Sequence, residues 1–93
     1  MTLRELRTEL ENIITALNTS GFTAVEAGIS EKLGQLSAAA NDLGLKEGKH
    51  LVDNLITVIE AIQEGKSQAD SGVVRLTALD FYVKKALSGS QST

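Results

Sequence analysis

An all-α fold, an up-down-up-down four-helix bundle, is what this chain predicts, and three observations predict it. Apolar residues recur every three or four positions in four separate stretches, three glycine-bearing turns part those stretches, and proline is absent throughout. That spacing keeps side chains on one face of an α-helix, and no residue breaks the helices from within. The four series are Leu3, Leu6, Leu10, Ile13 and Leu17; Val25, Ile29, Leu33, Leu36, Ala40 and Leu43; Leu51, Leu55, Val58 and Ile62; and Val73, Leu76, Leu79, Val83 and Leu87. Short connections make consecutive helices antiparallel neighbours. The expected organisation is one bundle domain over residues 1–88 with a short disordered tail over 89–93.

The first helix has a defined start. Thr2 and Glu5 form a capping box in which each side chain serves the other's backbone amide. The helix is expected to run to about Leu17 and to break at Asn18-Thr19-Ser20-Gly21. Phe22 then stands before a second capping box, Thr23 with Glu26, where it would staple the start of the second helix. That helix carries Gly28 and Gly34 in its interior, each costing roughly 0.5–1 kcal/mol against alanine, which points to close backbone approach. It closes through Ser37-Ala38-Ala39-Ala40 and stops at Asn41-Asp42-Leu43-Gly44.

The third helix is expected from about Lys46 to Glu64, with Gly48 weakening its first turn and Gly65 terminating it. Asp70 or Ser71 would cap a fourth helix reaching about Leu87, with Lys84 and Lys85 at its negative end. Ser88-Gly89-Ser90-Gln91-Ser92-Thr93 has the composition of a flexible tail.

Composition removes several classes of function. With no cysteine, the chain has no disulfide, thiolate nucleophile or sulfur-ligated metal. A net charge of −3 with scattered basic residues is opposite to the footprint of a nucleic-acid binder. Only 3% of residues are aromatic and tryptophan is absent, so bases, sugars and flat cofactors have little to stack on, and no cofactor is expected. No apolar run approaches the ~20 residues of a membrane span. The first residues lack the apolar core of a secretory signal, and the expected location is the cytoplasm.

His50 is the only histidine. It lies about 100° off the stripe of Leu51, Leu55, Val58 and Ile62, so it is expected at the surface, as suits either a phosphoacceptor or an ordinary surface histidine. His50 and Asp53 are one possible ligand pair at i, i+3, but a bundle metal site needs further carboxylates and histidines, so no metal is expected. No serine lies in a strained Gly-x-Ser-x-Gly turn. Gly44-Leu45-Lys46-Glu47-Gly48-Lys49 departs from the phosphate-loop spacing and no strand precedes it. Nothing here marks an enzyme, and no catalytic residue is expected.

The fourth helix is different. Val73, Val74, Leu76, Leu79, Phe81, Tyr82, Val83, Ala86 and Leu87 spread over more than one stripe, which either buries both sides of the helix inside the bundle or leaves apolar surface for a partner. Val74, Phe81 and Tyr82 are the candidate interaction surface, with adjacent Phe81 and Tyr82 about 100° apart.

From Ser20 to Leu87 the chain resembles the histidine-containing phosphotransfer domain of bacterial phosphorelays. The residues carrying the resemblance are the glycine-bearing turn, the helix through Leu36-Ser37-Ala38-Ala39-Ala40-Asn41-Asp42-Leu43-Gly44, the apolar third helix, the Glu64-Gly65 turn and the fourth helix. Members of that family show a His-x-x-Lys-Gly-x-Ser/Ala run ending in a similar Asn-Leu-Gly. Here the corresponding places near Gly34 and Gln35 hold no histidine, and small residues around Ser37 and Ala38 replace the Lys-Gly. The resemblance implies a degenerate member that keeps the bundle and a docking face, with no catalytic residue carried over. The expectation is a non-enzymatic helical interaction module that binds another protein, or itself as a homodimer, through the fourth helix and the small-residue face of the second. The alternative is a phosphorelay phosphotransfer protein using His50, although Asp53 one turn on would repel a phosphoryl group.

Overall fold

The computed structural model describes residues 1–22 and 28–87. Thr23, Val25 and Glu26, and the tail beyond Leu87, lie outside the described residues. Four α-helices make up the rest: α1 (Leu3–Ser20), α2 (Ile29–Asp42), α3 (Lys46–Gln63) and α4 (Ala69–Tyr82), the last extended by a π-helical turn (Val83–Leu87). Among the described residues there is no strand. Consecutive helices are neighbours, and α1 closes the ring against the end of α4, so α1 faces α3 and α2 faces α4 only across the diagonals. This is an up-down-up-down four-helix bundle. No described helix is long and apolar enough to cross a membrane.

Helix ends follow local chemistry. At the start of α1, Glu5 donates its amide to Thr2 Oγ1 at 3.1 Å and Thr2 donates its amide to Glu5 Oε1 at 2.8 Å, closing the capping box. α1 runs three residues past Leu17 before Gly21 ends it. α2 and α3 end alike: Leu45 donates to the Ala40 carbonyl and Lys66 to the Ala61 carbonyl, both at 2.8 Å. These six-to-one bonds need a left-handed residue just before the donor, met by Gly44 at φ +78° and Gly65 at φ +76°. The N-cap of α4 is Gln68, two residues before Asp70 and three before Ser71, the expected caps, and it makes no side-chain cap bond.

The core joins Leu6, Leu10, Ile13, Ile14 and Leu17 of α1, Leu33, Leu36 and Ala40 of α2, Val52, Leu55, Val58 and Ile59 of α3, and Leu76, Leu79, Val83 and Leu87 of the last segment. Several expected core positions fall outside it. Leu3 and Leu43 are exposed at or beside helix ends, where a neighbouring helix no longer overlaps them, and Val73 is exposed because it lies about a quarter-turn off the buried row of Gly72, Leu76 and Leu79. On α3 the most buried row is Val52, Leu55 and Ile59, while Leu51 and Ile62 are half-buried. α3 packs against both α2 and α4, so its apolar surface is shared between two faces rather than centred on one.

The glycines also depart from expectation. Gly34 faces open space, and nothing approaches the point where a side chain of Gly28 would stand. Close approach occurs instead at Gly72 and Gly48. A Cβ at Gly72 would lie 2.8 Å from three carbons of the Phe22 ring, so buried Phe22 seats on α4. The small-residue run of α2 is used within the bundle, with Ser37 and Ala40 buried where α2 meets α3.

Gly72→Ala is expected to destabilise the protein by about 1–3 kcal/mol, because the Phe22 ring must move and that strain exceeds the gain in helix propensity. Gly34→Ala, on open helix surface, is expected to stabilise by roughly 0.5–1 kcal/mol. Urea unfolding of the two variants checks both signs.

Candidate functional site

The packing of α4 on α3 leaves a groove on the bundle surface. α3 contributes Glu47 and Leu51 to its lining, and α4 contributes Val74, Thr77, Ala78, Phe81 and Tyr82, with Lys85 and Ala86 following in the π turn. The groove is open to solvent and holds about 860 Å³. Val74 and Phe81 are each 64% exposed, so a group that covers them gains by removing apolar surface from water. Lys85 lies with its ammonium 5.8 Å from the centre of the Phe81 ring, within cation–π range.

Tyr82 is placed by Gly48. A Cβ at position 48 would stand 2.9 Å from Tyr82 Cε2 and 3.0 Å from its hydroxyl oxygen, so only glycine leaves room for the ring on the first turn of α3. The Tyr82 hydroxyl also hydrogen-bonds with the Gly48 backbone. That bond favours the phenolate, so the amide is the donor. α3 has no side-chain cap at Leu45, and Tyr82 thus serves one of its orphan first-turn amides. Burial, and then the nearby charge of Glu47, raise the Tyr82 pKa above its ordinary value, while the Gly48 bond opposes them.

A polar cluster lies at the α2–α3 contact. Ser37 is buried and donates its hydroxyl to Asp53 Oδ1 at 2.6 Å, and Lys49 Nζ donates to Asp53 Oδ2 at 2.6 Å. The Lys49 bond, followed by the Ser37 bond, holds the Asp53 carboxyl below its ordinary pKa. A carboxylate so stabilised is a weak base towards a serine, and a buried Ser37 meets no substrate. The arrangement is a clamp between two helices. His50 is exposed beside it on α3, on the same turns as the Asp53 carboxylate.

Of the three residues that the sequence marks for interaction, Val74, Phe81 and Tyr82, all line the one groove. Val74 and Phe81 stand exposed at it and Tyr82 is half-buried. Sequence reasoning missed Glu47, Gly48 and Leu51 as their neighbours. Gly48 carried the nearest signal, a glycine in a helical first turn without a capping role. Among the described residues no three His, Cys, Asp or Glu side chains gather as metal ligands. No family model, curated protein or solved structure matches this chain.

Tyr82 is the only tyrosine and tryptophan is absent, so near-UV phenolate absorbance titrates this one group. Its pKa is expected above 10.0, and Glu47→Gln is expected to lower it only in part, since burial is the larger cause. The stability tied to the raised pKa is full below the unfolded value of about 10 and is lost as pH rises through the folded one.

Asp53 runs the other way. Its depressed pKa contributes stability that is full above the unfolded value of about 3.9 and is lost as pH falls through the folded value. Asp53→Asn is expected to flatten the acid limb of a stability–pH profile, at a cost of no more than about 1 kcal/mol at neutral pH because the pair is partly exposed. Thermal melts from neutral to acid pH read the difference.

Proposed function

We propose that this chain is a non-enzymatic helical interaction module that seats an amphipathic helix of a protein partner in the groove between the first turns of α3 and the outer face of α4. The observation carrying this reading is that α4 is apolar on two sides. One side, through Leu76, Leu79 and Val83, fills the core, while the other leaves Val74 and Phe81 exposed beside a floor formed by Leu51 and Tyr82. Apolar surface beyond the core-facing stripe of a helix marks a face that a partner can cover, and an aromatic anchor beside a pocket is how helix-in-groove interfaces concentrate their energy. The shape suits a helix better than a small molecule, which needs enclosure of most of its surface and convergent polar groups.

The resemblance to a phosphotransfer bundle fits the same reading as a docking face kept without its phosphoacceptor. Phosphotransfer through His50 has less support, because the Asp53 carboxylate stands one turn away and a phosphoryl group there meets negative charge.

Selection of helical peptides from a displayed library against the intact protein tests the proposal. Selected peptides are expected to carry apolar residues at i, i+3, i+4 and i+7, and to bind Phe81→Ala at least tenfold more weakly, with the variant's melting temperature little changed. Recovery of no helical binder, or of binders indifferent to both Phe81→Ala and Val74→Ala, overturns it.

A further inference from the structure

We infer that the helix occupying this groove is α4 of a second copy of the same chain, packed antiparallel about a two-fold axis. The inference rests on the reading of the groove as a helix-docking site and names its occupant.

The outward stripe of α4 runs Asp70, Val74, Thr77 with Ala78, Phe81 and Lys85, at the three- and four-residue steps of one helix face. It is ordered by chemistry: an acid at one end, a base at the other, apolar residues inside them and small residues at the middle. Turned end for end about an axis between Thr77 and Ala78, the stripe complements itself. Asp70 meets Lys85 of the other copy, Val74 meets Phe81, and Thr77 meets Ala78, each contact occurring twice. This is the self-complementarity a two-fold interface demands. Small residues at the centre let the two helices approach, and antiparallel packing sets each positive helix end beside a negative one.

The charges support the same occupant. Asp70, Glu47 and Lys85 have no ion-pair partner among the described residues, whereas neighbouring Lys84 pairs with Asp80 and Lys49 with Asp53. Lys85 and Glu47 thus stand at one end of the groove, and Asp70 at the far end of the α4 stripe, as charges left for an external partner. The patch is also small. Stable interfaces engage roughly 20–30 residues a side, so pairing through one helix and its groove predicts a reversible dimer with a dissociation constant on the order of 100 µM.

The test is sedimentation of the full chain from low micromolar to about 1 mM concentration, with helicity followed in parallel. The expected result is a reversible shift from monomer to dimer, weakened roughly three- to tenfold between ~0.02 M and ~0.5 M salt. Phe81→Ala is expected to weaken it at least tenfold. Asp70→Lys and Lys85→Asp are each expected to weaken self-association, and an equimolar mixture of the two to associate again, because each then supplies the charge the other needs. A merely structural role for either residue gives no such recovery. A chain that stays monomeric to about 1 mM, or a dimer that neither charge variant weakens, overturns the inference. If the monomeric chain still binds selected helical peptides through Phe81, only the second copy as occupant is overturned; if it binds none, the docking reading falls as well.

Discussion

Everything in this bundle is arranged around α3, which lies between α2 and α4 and has to be apolar on two faces at once. Val52, Leu55 and Ile59 are sealed among the other helices, while Leu51 and Ile62 are half-covered at the flanks. Because α3 carries no N-terminal side-chain cap, its start is held from outside, by Tyr82 lying over Gly48. Phe81, next in the chain, stands exposed beside it. The floor of the groove, Leu51 and Tyr82, therefore packs directly on the core.

The fold was legible wherever a local rule decides. The Thr2–Glu5 box, the glycines at the ends of α2 and α3, and the four apolar rows can all be read because each depends on residues within a turn or two of one another. What stayed hidden depends on neighbours distant in sequence. Gly48 reads as a helix weakness until Tyr82 is seen against it, and nothing local marks the Phe22–Gly72 contact. The centre of the α3 stripe was displaced by one residue because two neighbours compete for that helix, which one-face periodicity does not encode. For the site, the surplus of apolar residues on α4 exposed Val74, Phe81 and Tyr82 as a group, whereas the α3 wall, Glu47 and Leu51, is joined to them only by packing.

Electrostatics adds little to holding the molecule together. The pairs Arg7–Glu11, Lys84–Asp80 and Lys66–Glu64 sit at the surface, where such contacts contribute at most about 1 kcal/mol. Lys32 with Glu9, and Ser37 with Asp53, join separate helices and act more on alignment than on strength. Stability therefore comes from burial of aliphatic side chains, and a chain of this size leaves little margin. Exposing Phe81 withholds one of only three aromatic rings from the core.

The position of Tyr82 gives the molecule its own optical reporter. With no tryptophan in the chain and one tyrosine, near-UV emission arises chiefly from a single ring at the floor of the groove. Its hydroxyl is held by a backbone amide, and a carboxylate lies close by. Whatever enters the groove changes the solvation and quenching of that ring, so occupancy is visible in unlabelled protein as a change in fluorescence.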